Sequence, residues 1–496
     1  MYGSAKGRLI LIVSPKTPLA LAIYPEQYQE HYGSIHTGGK DVESKKPKTK
    51  PAPTAEHDFK TRFSVVLNKI ENLPTVMTLT QLLQPALPSL ASVTPATSKL
   101  GKSDITDDEK PLMQGPPKDQ PRTLSVDALR LIELTDRTSA VMQSAEADEL
   151  IRKDPVLSIF RTFGHINRIP VSASLAVVNQ ESFSSRVAEH AGEKGTEMVI
   201  VPWHSGTHSL DEQEPGGGMT YNPFDGIFGK GRSDKAPSVI YSQFIRRVFA
   251  TSPTDVALFV DRGTSHSGSL SGAYGQHILF PFFGGPDDRL ALDFVVQLCA
   301  NPTVTATVIR VRKLEDDAAL STAGTNTTDA KPVLHATVHS MSGYPDTVYG
   351  PPSTENRLES EGADNLIWAR YAKRQEHSDP ISLPHAAESA LTRIRFEEVS
   401  TPRPLHALAE RAGVELKTCE QGWKSLFIVA GRGRRLAESH HIELRALVEE
   451  SGKGYGAGFG TEISRTVGDV AAAFIANGTN ASLLILQAAD ATSQNA

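Results

Sequence analysis

Near-continuously apolar runs, too short to be helices, recur along this chain, and each is followed by a segment whose apolar residues return every three or four positions. In the first half the runs fall at 63–68, 129–134, 171–178, 198–201 and 256–260. The helical patterns between them include 76–83, 183–191 and 240–249, where Ile240, Phe244, Ile245 and Val248 share one face. A strand that is apolar on both faces must be covered on both, and alternation with helices supplies that cover. The pattern therefore predicts an α/β fold with a parallel sheet between two helical layers.

The pattern then restarts. A strand at 277–280 runs into Phe283-Gly284-Gly285-Pro286, and in the helix that follows Ala291, Phe294, Val295 and Leu298 recur at one-turn spacing. Further strands are expected at 304–311, 391–396, 426–430 and 483–486. A single helix is expected over 463–475, with Ile463, Val467, Val470, Ala471 and Phe474 on one stripe. Both halves close alike, since Thr254-Asp255-Val256-Ala257-Leu258 parallels Thr479-Asn480-Ala481-Ser482-Leu483. This is the mark of an internal duplication, and the final strands, 256–260 and 481–486, are expected to pair across a pseudo-two-fold axis.

At 496 residues the chain also exceeds the roughly 250–300 residues that one core serves. The division expected is a segment and linker at 1–57, a first α/β domain at 58–270 and a second at 271–496. Residues 34–57 are rich in Lys, Pro and Gly and read as linker. Residues 91–122, 207–237 and 314–380 show little periodicity and read as inserted surface loops.

A formal net charge of −6 removes the basic footprint that a nucleic-acid binder needs. Cys299 and Cys419 lie beside apolar segments and read as buried thiols of a reducing compartment. No stretch holds the ~18–20 uninterrupted apolar residues of a membrane helix. The nearest, 8–24, is broken by Pro15, Lys16 and Pro18. The chain has no Gly-x-Ser-x-Gly, His-Glu-x-x-His or Cys-x-x-Cys, so an enzyme is not expected and no metal site is assigned.

Open α/β sheets take ligands at the carboxyl ends of their strands. The segment there that best suits an anion is Gly431-Arg432-Gly433-Arg434-Arg435, directly after strand 426–430. Glycines allow close approach, backbone amides can face phosphate oxygens, and arginines offer bidentate charge. A tight turn with solvated arginines is the competing reading. His204, after strand 198–201, is a candidate for pH sensing because imidazole titrates near neutrality, or is a structural histidine. Asp287 or Asp288 suits the N-terminus of the helix after Gly285. His440 and His441 are adjacent and do not share a helix face, which makes them a poor metal pair.

The motifs Phe63-Ser64-Val65-Val66-Leu67-Asn68, Leu129-Arg130-Leu131-Ile132-Glu133, Asp154-Pro155-Val156-Leu157, Phe283-Gly284-Gly285-Pro286-Asp287-Asp288-Arg289 and Thr466-Val467-Gly468-Asp469-Val470-Ala471 occur in that order. With them the chain resembles the C-terminal cytosolic region of fungal potassium/proton antiporters, relatives of the plant cation/proton exchangers, over about 18–488. The resemblance implies two tandem universal-stress-protein-like, Rossmann-like domains. They would lie on the cytoplasmic side of a membrane and regulate a transport domain of the same protein, as a homodimer and without nucleic acid. Residues 18–25 resemble the end of the last membrane helix, and 1–8 read as a truncated start. The resemblance further implies an adenine nucleotide, ATP, ADP or AMP, held by Gly431, Arg432, Gly433, Arg434, Thr466 and Gly468. The aspartate that ATP-binding stress proteins carry after their first strand would fall near Phe283 or Gly284, and near Asn68 in the first half, so the pattern is departed from there. A ligand-free dimerisation or interaction module and a stand-alone nucleotide-binding stress protein remain as alternatives.

Overall fold

The computed structural model describes residues 35–36, 59–84, 124–134, 147–204, 235–261, 275–314, 354–372, 385–422, 424–433, 440–451 and 459–489. The first half contains strands β1 (Ile35–His36), β2 (Arg62–Leu67), β3 (Ser125–Glu133), β4 (Val171–Val178), β5 (Met198–His204) and β6 (Asp255–Asp261). Its helices are α1 (Leu73–Leu82), α2 (Ala147–Lys153), α3 (Pro155–Ile166), α4 (Phe183–Lys194) and α5 (Lys235–Thr251). The second half contains β7 (Gly275–Phe282), β8 (Val304–Lys313), β9 (Ile394–Thr401), β10 (Lys424–Gly431) and β11 (Ser482–Gln487). Its helices are α6 (Pro286–Leu298), α7 (Thr354–Ala372), α8 (His385–Leu391), α9 (Pro404–Gln421), α10 (His441–Glu450), α11 (Phe459–Val467) and α12 (Asp469–Asn477).

All of these strands belong to one sheet of order β1-β4-β3-β2-β5-β6-β11-β10-β7-β8-β9. Leaving aside the short β1, the five strands of each half have the doubly wound order 3-2-1-4-5 with parallel pairing throughout. The halves meet through an antiparallel pairing of β6 with β11, in which Val256 faces Gln487, Leu258 faces Ile485 and Val260 faces Leu483. That is the pseudo-two-fold contact the duplicated final strands call for. At the far edge, β1 adds antiparallel to β4, with Ile35 opposite Leu175.

Helices cover both faces. One core runs under α1, α3, α6, α7 and α8 and includes Val76, Phe160, Phe294, Trp368 and Ala390. The other runs under α4, α5, α9, α10, α11 and α12 and includes Val187, Val248, Leu408, Leu447 and Phe474. Each core crosses the midline. Phe63 on β2 meets Phe294 of α6 at 6.4 Å between ring centroids, and Phe259 on β6 meets Phe427 on β10 at 5.3 Å. The Asp154-Pro155 motif is a helix start: the Asp154 carboxylate accepts the Leu157 amide at 2.9 Å and Pro155 occupies the first turn of α3. Cys299 and Cys419 are buried thiols, and burial pushes Cys299 up to about 12.

Three local expectations change. The strand expected at 391–396 begins at Ile394, because Leu391 closes α8. The single helix expected over 463–475 is two helices broken at Gly468, whose φ is 86°. The 314–380 stretch, expected as surface loop, holds the 19-residue helix α7. Trp368 and Tyr371 of α7 are buried in the core while Leu358 and Leu366 are exposed on its other side, so its apolar residues do not form one stripe. The divisions expected at 57/58 and 270/271, and the stretch 91–122, lie outside the described residues.

Candidate functional site at the ends of β7, β10 and β11

In the second half the chain winds outward from β7 through β8 to β9, then returns to the other side of β7 as β10. The crevice between β7 and β10 is therefore the switch point where such sheets take ligands. Backbone amides do converge there, and they are already bonded. Asp288 Oδ2 accepts from the Phe283 amide at 2.7 Å and the Gly284 amide at 2.9 Å, and its Oδ1 accepts from the Gly431 amide at 3.1 Å. Asp287 Oδ2 accepts from the Gly433 amide at 3.1 Å and Oδ1 from the Ala488 amide at 2.9 Å. From α7, Asp364 accepts the Gly285 amide at 3.0 Å and pairs with Arg289. Asp287 and Asp288 thus bond the loop amides of neighbouring strands, and neither is the cap residue of α6. That position belongs to Gly285, with no side-chain cap.

The carboxylates sit where an incoming phosphate would need to go. Asp287 is 2% exposed and Asp288 4%. Asp288 is pushed up to about 7, chiefly by burial with help from the charges of Asp287 and Asp364 and against the pull of the Phe283 and Gly284 amides. The approach is so close that Gly431 has no room for a side chain. A Cβ there would clash with Asp288 Oδ1 and lie 2.9 Å from the Asp288 backbone nitrogen.

The structure brings together the described members of the expected nucleotide set, Gly431, Arg432, Gly433, Thr466 and Gly468. Arg432 is 5% exposed and turns away from the crevice. Its Nη1 donates to Gln487 Oε1 and its Nη2 to the Arg465 carbonyl, each at 2.6 Å, and its guanidinium lies 4.6 Å from the centroid of Phe249. A Cβ on Gly468 would clash with the Arg432 carbonyl oxygen and stand 3.0 Å from its carbon, so this position, with its positive φ, suits only glycine. Thr466 is fully buried. Gly433 gives its amide to Asp287. Arg434 lies outside the described residues. Among the described residues no group of three His, Cys, Asp or Glu side chains could hold a metal ion.

The crevice of the first half, beside β2 and β5, is likewise lined by internal bonds. Arg130 Nη1 donates to the carbonyls of Leu67 at 3.1 Å and Asn68 at 2.5 Å, while its Nε pairs with Asp154 at 3.2 Å. The Tyr241 hydroxyl donates to the Pro202 carbonyl at 2.7 Å, its ring edge-on to Trp203, and burial raises its pKa. His204 ends β5, and its side chain lies outside the described residues.

The two adjacent histidines at 440 and 441 part company, as their spacing requires. His440 is buried against Phe283 at 4.9 Å. His441, at the start of α10, meets Asp469 of α12 at 3.2 Å, and Ser464 also donates to Asp469. The Asp469 bond raises the His441 pKa. For Asp469, burial acts upward and is outweighed by the bonds from His441 and Ser464, which leave it below the usual range. The raised histidine contributes stability below its unfolded value near 6.5 that is lost as pH rises through the folded value. The lowered aspartate contributes stability above about 3.9 that is lost on acidification. The pair is therefore strongest in mildly acidic solution. Asp469→Asn is expected to lower the urea midpoint more at pH 5.5 than at pH 8.5, and an equal loss at both would show that the pair does not titrate as described.

Further polar bonds, some across the halves and some within the first, gather at both ends of the β6–β11 pairing. At one end Asp255 accepts the Ala489 amide at 2.8 Å and pairs with Lys60 at 2.6 Å, and Gln487 Nε2 donates to the Phe249 carbonyl at 2.6 Å. At the other, Asp261 accepts from Thr75 at 3.0 Å and from Ser482 at 3.3 Å. Gln297 of α6 exchanges two bonds with the Lys60 backbone, at 3.0 and 2.7 Å.

Comparison with known proteins places the first half. The family model for the plant cation/H(+) antiporter domain matches residues 126–264, from β3 to just past β6. Cation/H(+) antiporter 17 of Arabidopsis thaliana is 27% identical over 202 residues, covering 38% of this chain and 22% of that protein. Cation/H(+) antiporter 15 of the same plant is 27% identical over 215 residues, 41% of this chain and 24% of that protein. The chain thus spans about a fifth to a quarter of the length of these curated relatives. Among solved structures, a putative universal stress protein from Pseudomonas aeruginosa UCBPP-PA14 aligns with TM-score 0.36 and 14% identity, over 88% of this chain and 97% of that one. A universal stress protein from Archaeoglobus fulgidus DSM 4304 aligns with TM-score 0.34 and 8% identity, over 85% and 97%. Residues 126 to 264 are accordingly similar to the plant cation/H(+) antiporter domain, and they lie in the first of two halves that repeat one strand order.

Proposed function

We propose that this chain is the cytosolic regulatory region of a potassium/proton antiporter, that its principal partner is the membrane transport domain of the same protein, and that it is not an enzyme. The match at 126–264 to the cation/H(+) antiporter domain carries the reading. No helix among the described residues is long and apolar enough to cross a membrane, which fits a region that acts on transport from outside the bilayer. Removing it from the full-length antiporter should change the rate or pH dependence of potassium/proton exchange in vesicles. Unchanged exchange would remove the reading.

The buried carboxylates favour the ligand-free form of this reading over an adenine-nucleotide sensor. A phosphate at Gly431–Gly433 would have to displace Asp287 and Asp288, whose charge-assisted bonds to amides are worth ~1.5–3 kcal/mol each, and would meet their like charge. Isothermal titration with ATP, ADP and AMP is expected to be flat. A saturable heat that Gly433→Ala abolishes would restore the nucleotide role. A homodimer, if formed, would use a surface other than the last strands, because β6 and β11 already pair with each other.

A further inference from the structure

We propose that Asp288 is a proton-responsive latch: as a carboxylate it ties the end of β10 to the loop after β7, and on taking up a proton it lets the Gly431 end go. The inference deepens the regulatory reading by naming how one region of the chain would respond to cytosolic acidity.

The two oxygens of Asp288 are not equivalent. Oδ2 accepts two amides, from Phe283 and Gly284, and Oδ1 accepts one, from Gly431. A proton from solvent that converts the carboxylate to the acid settles on the oxygen with fewer donors, Oδ1. There the hydroxyl oxygen is a poorer acceptor than the carboxylate oxygen, and the Gly431 bond loses its charge assistance. The weakened amide bond then opens more readily, and at 4% exposure no water compensates cheaply.

The surroundings favour uptake of that proton. Asp287 stands beside Asp288 on α6, and Asp364 approaches from α7 with Arg289 paired to it. At the end of β10, Arg432 has its guanidinium on Gln487 and the Arg465 carbonyl. His440 packs on Phe283 at the end of β7. Two of these neighbours are carboxylates, and burial acts in the same direction.

Release would not stay local. Gly431 is followed by Arg432, which is bonded to β11 and to the end of α11 and lies on Phe249 of α5 in the other half. A loosened Gly431 therefore reaches the contact between halves. Gly431 itself must be glycine for the latch to close, since Asp288 occupies the space of a Cβ.

Amide hydrogen exchange on the isolated chain between pH 8.5 and pH 6, corrected for intrinsic exchange rates, tests this directly. Protection at Gly431 is expected to fall about tenfold or more over that range with a midpoint near neutrality, while core amides of α9 such as Ala412 hold theirs. In Asp288→Asn the step should be absent. A flat wild-type profile, or the same step in Asp288→Asn, would overturn the proposal. Should that variant not fold, a carbon-13 titration of the wild-type Asp288 carboxyl decides the matter: a midpoint near neutrality supports the latch, and one below pH 5 overturns it. Because these readouts concern the isolated chain, their failure leaves the regulatory reading standing, and the exchange assay on the full antiporter tests that reading separately.

Discussion

Arg432→Ala should lower the unfolding free energy by about 2–5 kcal/mol in urea denaturation, with no change in any nucleotide titration. The guanidinium satisfies Gln487 Oε1 and the Arg465 carbonyl and lies on the Phe249 ring. Truncation leaves two buried acceptors without their donor and opens a void between β10, β11 and α5. A solvated arginine awaiting a phosphate would give the opposite pattern, a change within about 0.5 kcal/mol. That outcome would return Arg432 to the ligand-binding role its sequence context suggests. Gly431→Ala should add to the case at about 1–3 kcal/mol, since its Cβ would press on the backbone of α6, which cannot yield as a flexible side chain would.

Neither half is expected to remain a folded monomer when expressed alone. Separation uncovers the full length of β6 in residues 59–261, or of β11 in residues 275–489. Both strands are nearly all apolar, with Leu258, Val260, Leu484 and Ile485 fully buried. An exposed apolar edge strand recruits another, so each half should self-associate through that edge or precipitate, which sedimentation velocity would show. The intact chain should unfold in one transition, since the cores and the sheet run across the midline. A soluble, folded, monomeric half would show that the β6–β11 contact is a docking surface between independent domains. It would also permit regulation by repacking of the two halves, which a continuous sheet opposes.

The inner strands were legible because they are buried on both faces, and such runs have few other uses; the edge strand β9, only partly buried, was less legible. The run at 171–178 coincides with β4 from end to end. The duplicated ending also foretold the pairing of the final strands, because two identical units with an apolar edge can cover both edges at once by a two-fold. Helix α7 was legible in part. Asp364, Ile367, Trp368 and Tyr371 stand at one-turn spacing within a stretch otherwise read as loop, and the exposed Leu358 and Leu366 blur the stripe.

The candidate site divides in the same way. Proximity of Gly431, Arg432, Gly433, Thr466 and Gly468 followed from their places at strand and helix ends in a doubly wound order. Their roles did not follow. Whether a glycine at a strand end faces a phosphate or a carboxylate of its own chain depends on what the neighbouring helix brings, and here α6 brings Asp287 and Asp288. Likewise the requirement for glycine at 468 answers to the Arg432 carbonyl, which no local pattern in 463–475 contains.

By itself the sequence determined the alternation of strand and helix, the duplication and the antiparallel meeting of the two last strands, because these rest on which residues must leave water. Tertiary structure decided that the switch-point amides are filled from within and that Arg432 is a cross-half tie. Those outcomes depend on directional bonds between groups far apart in the chain, which hydrophobic patterning does not encode.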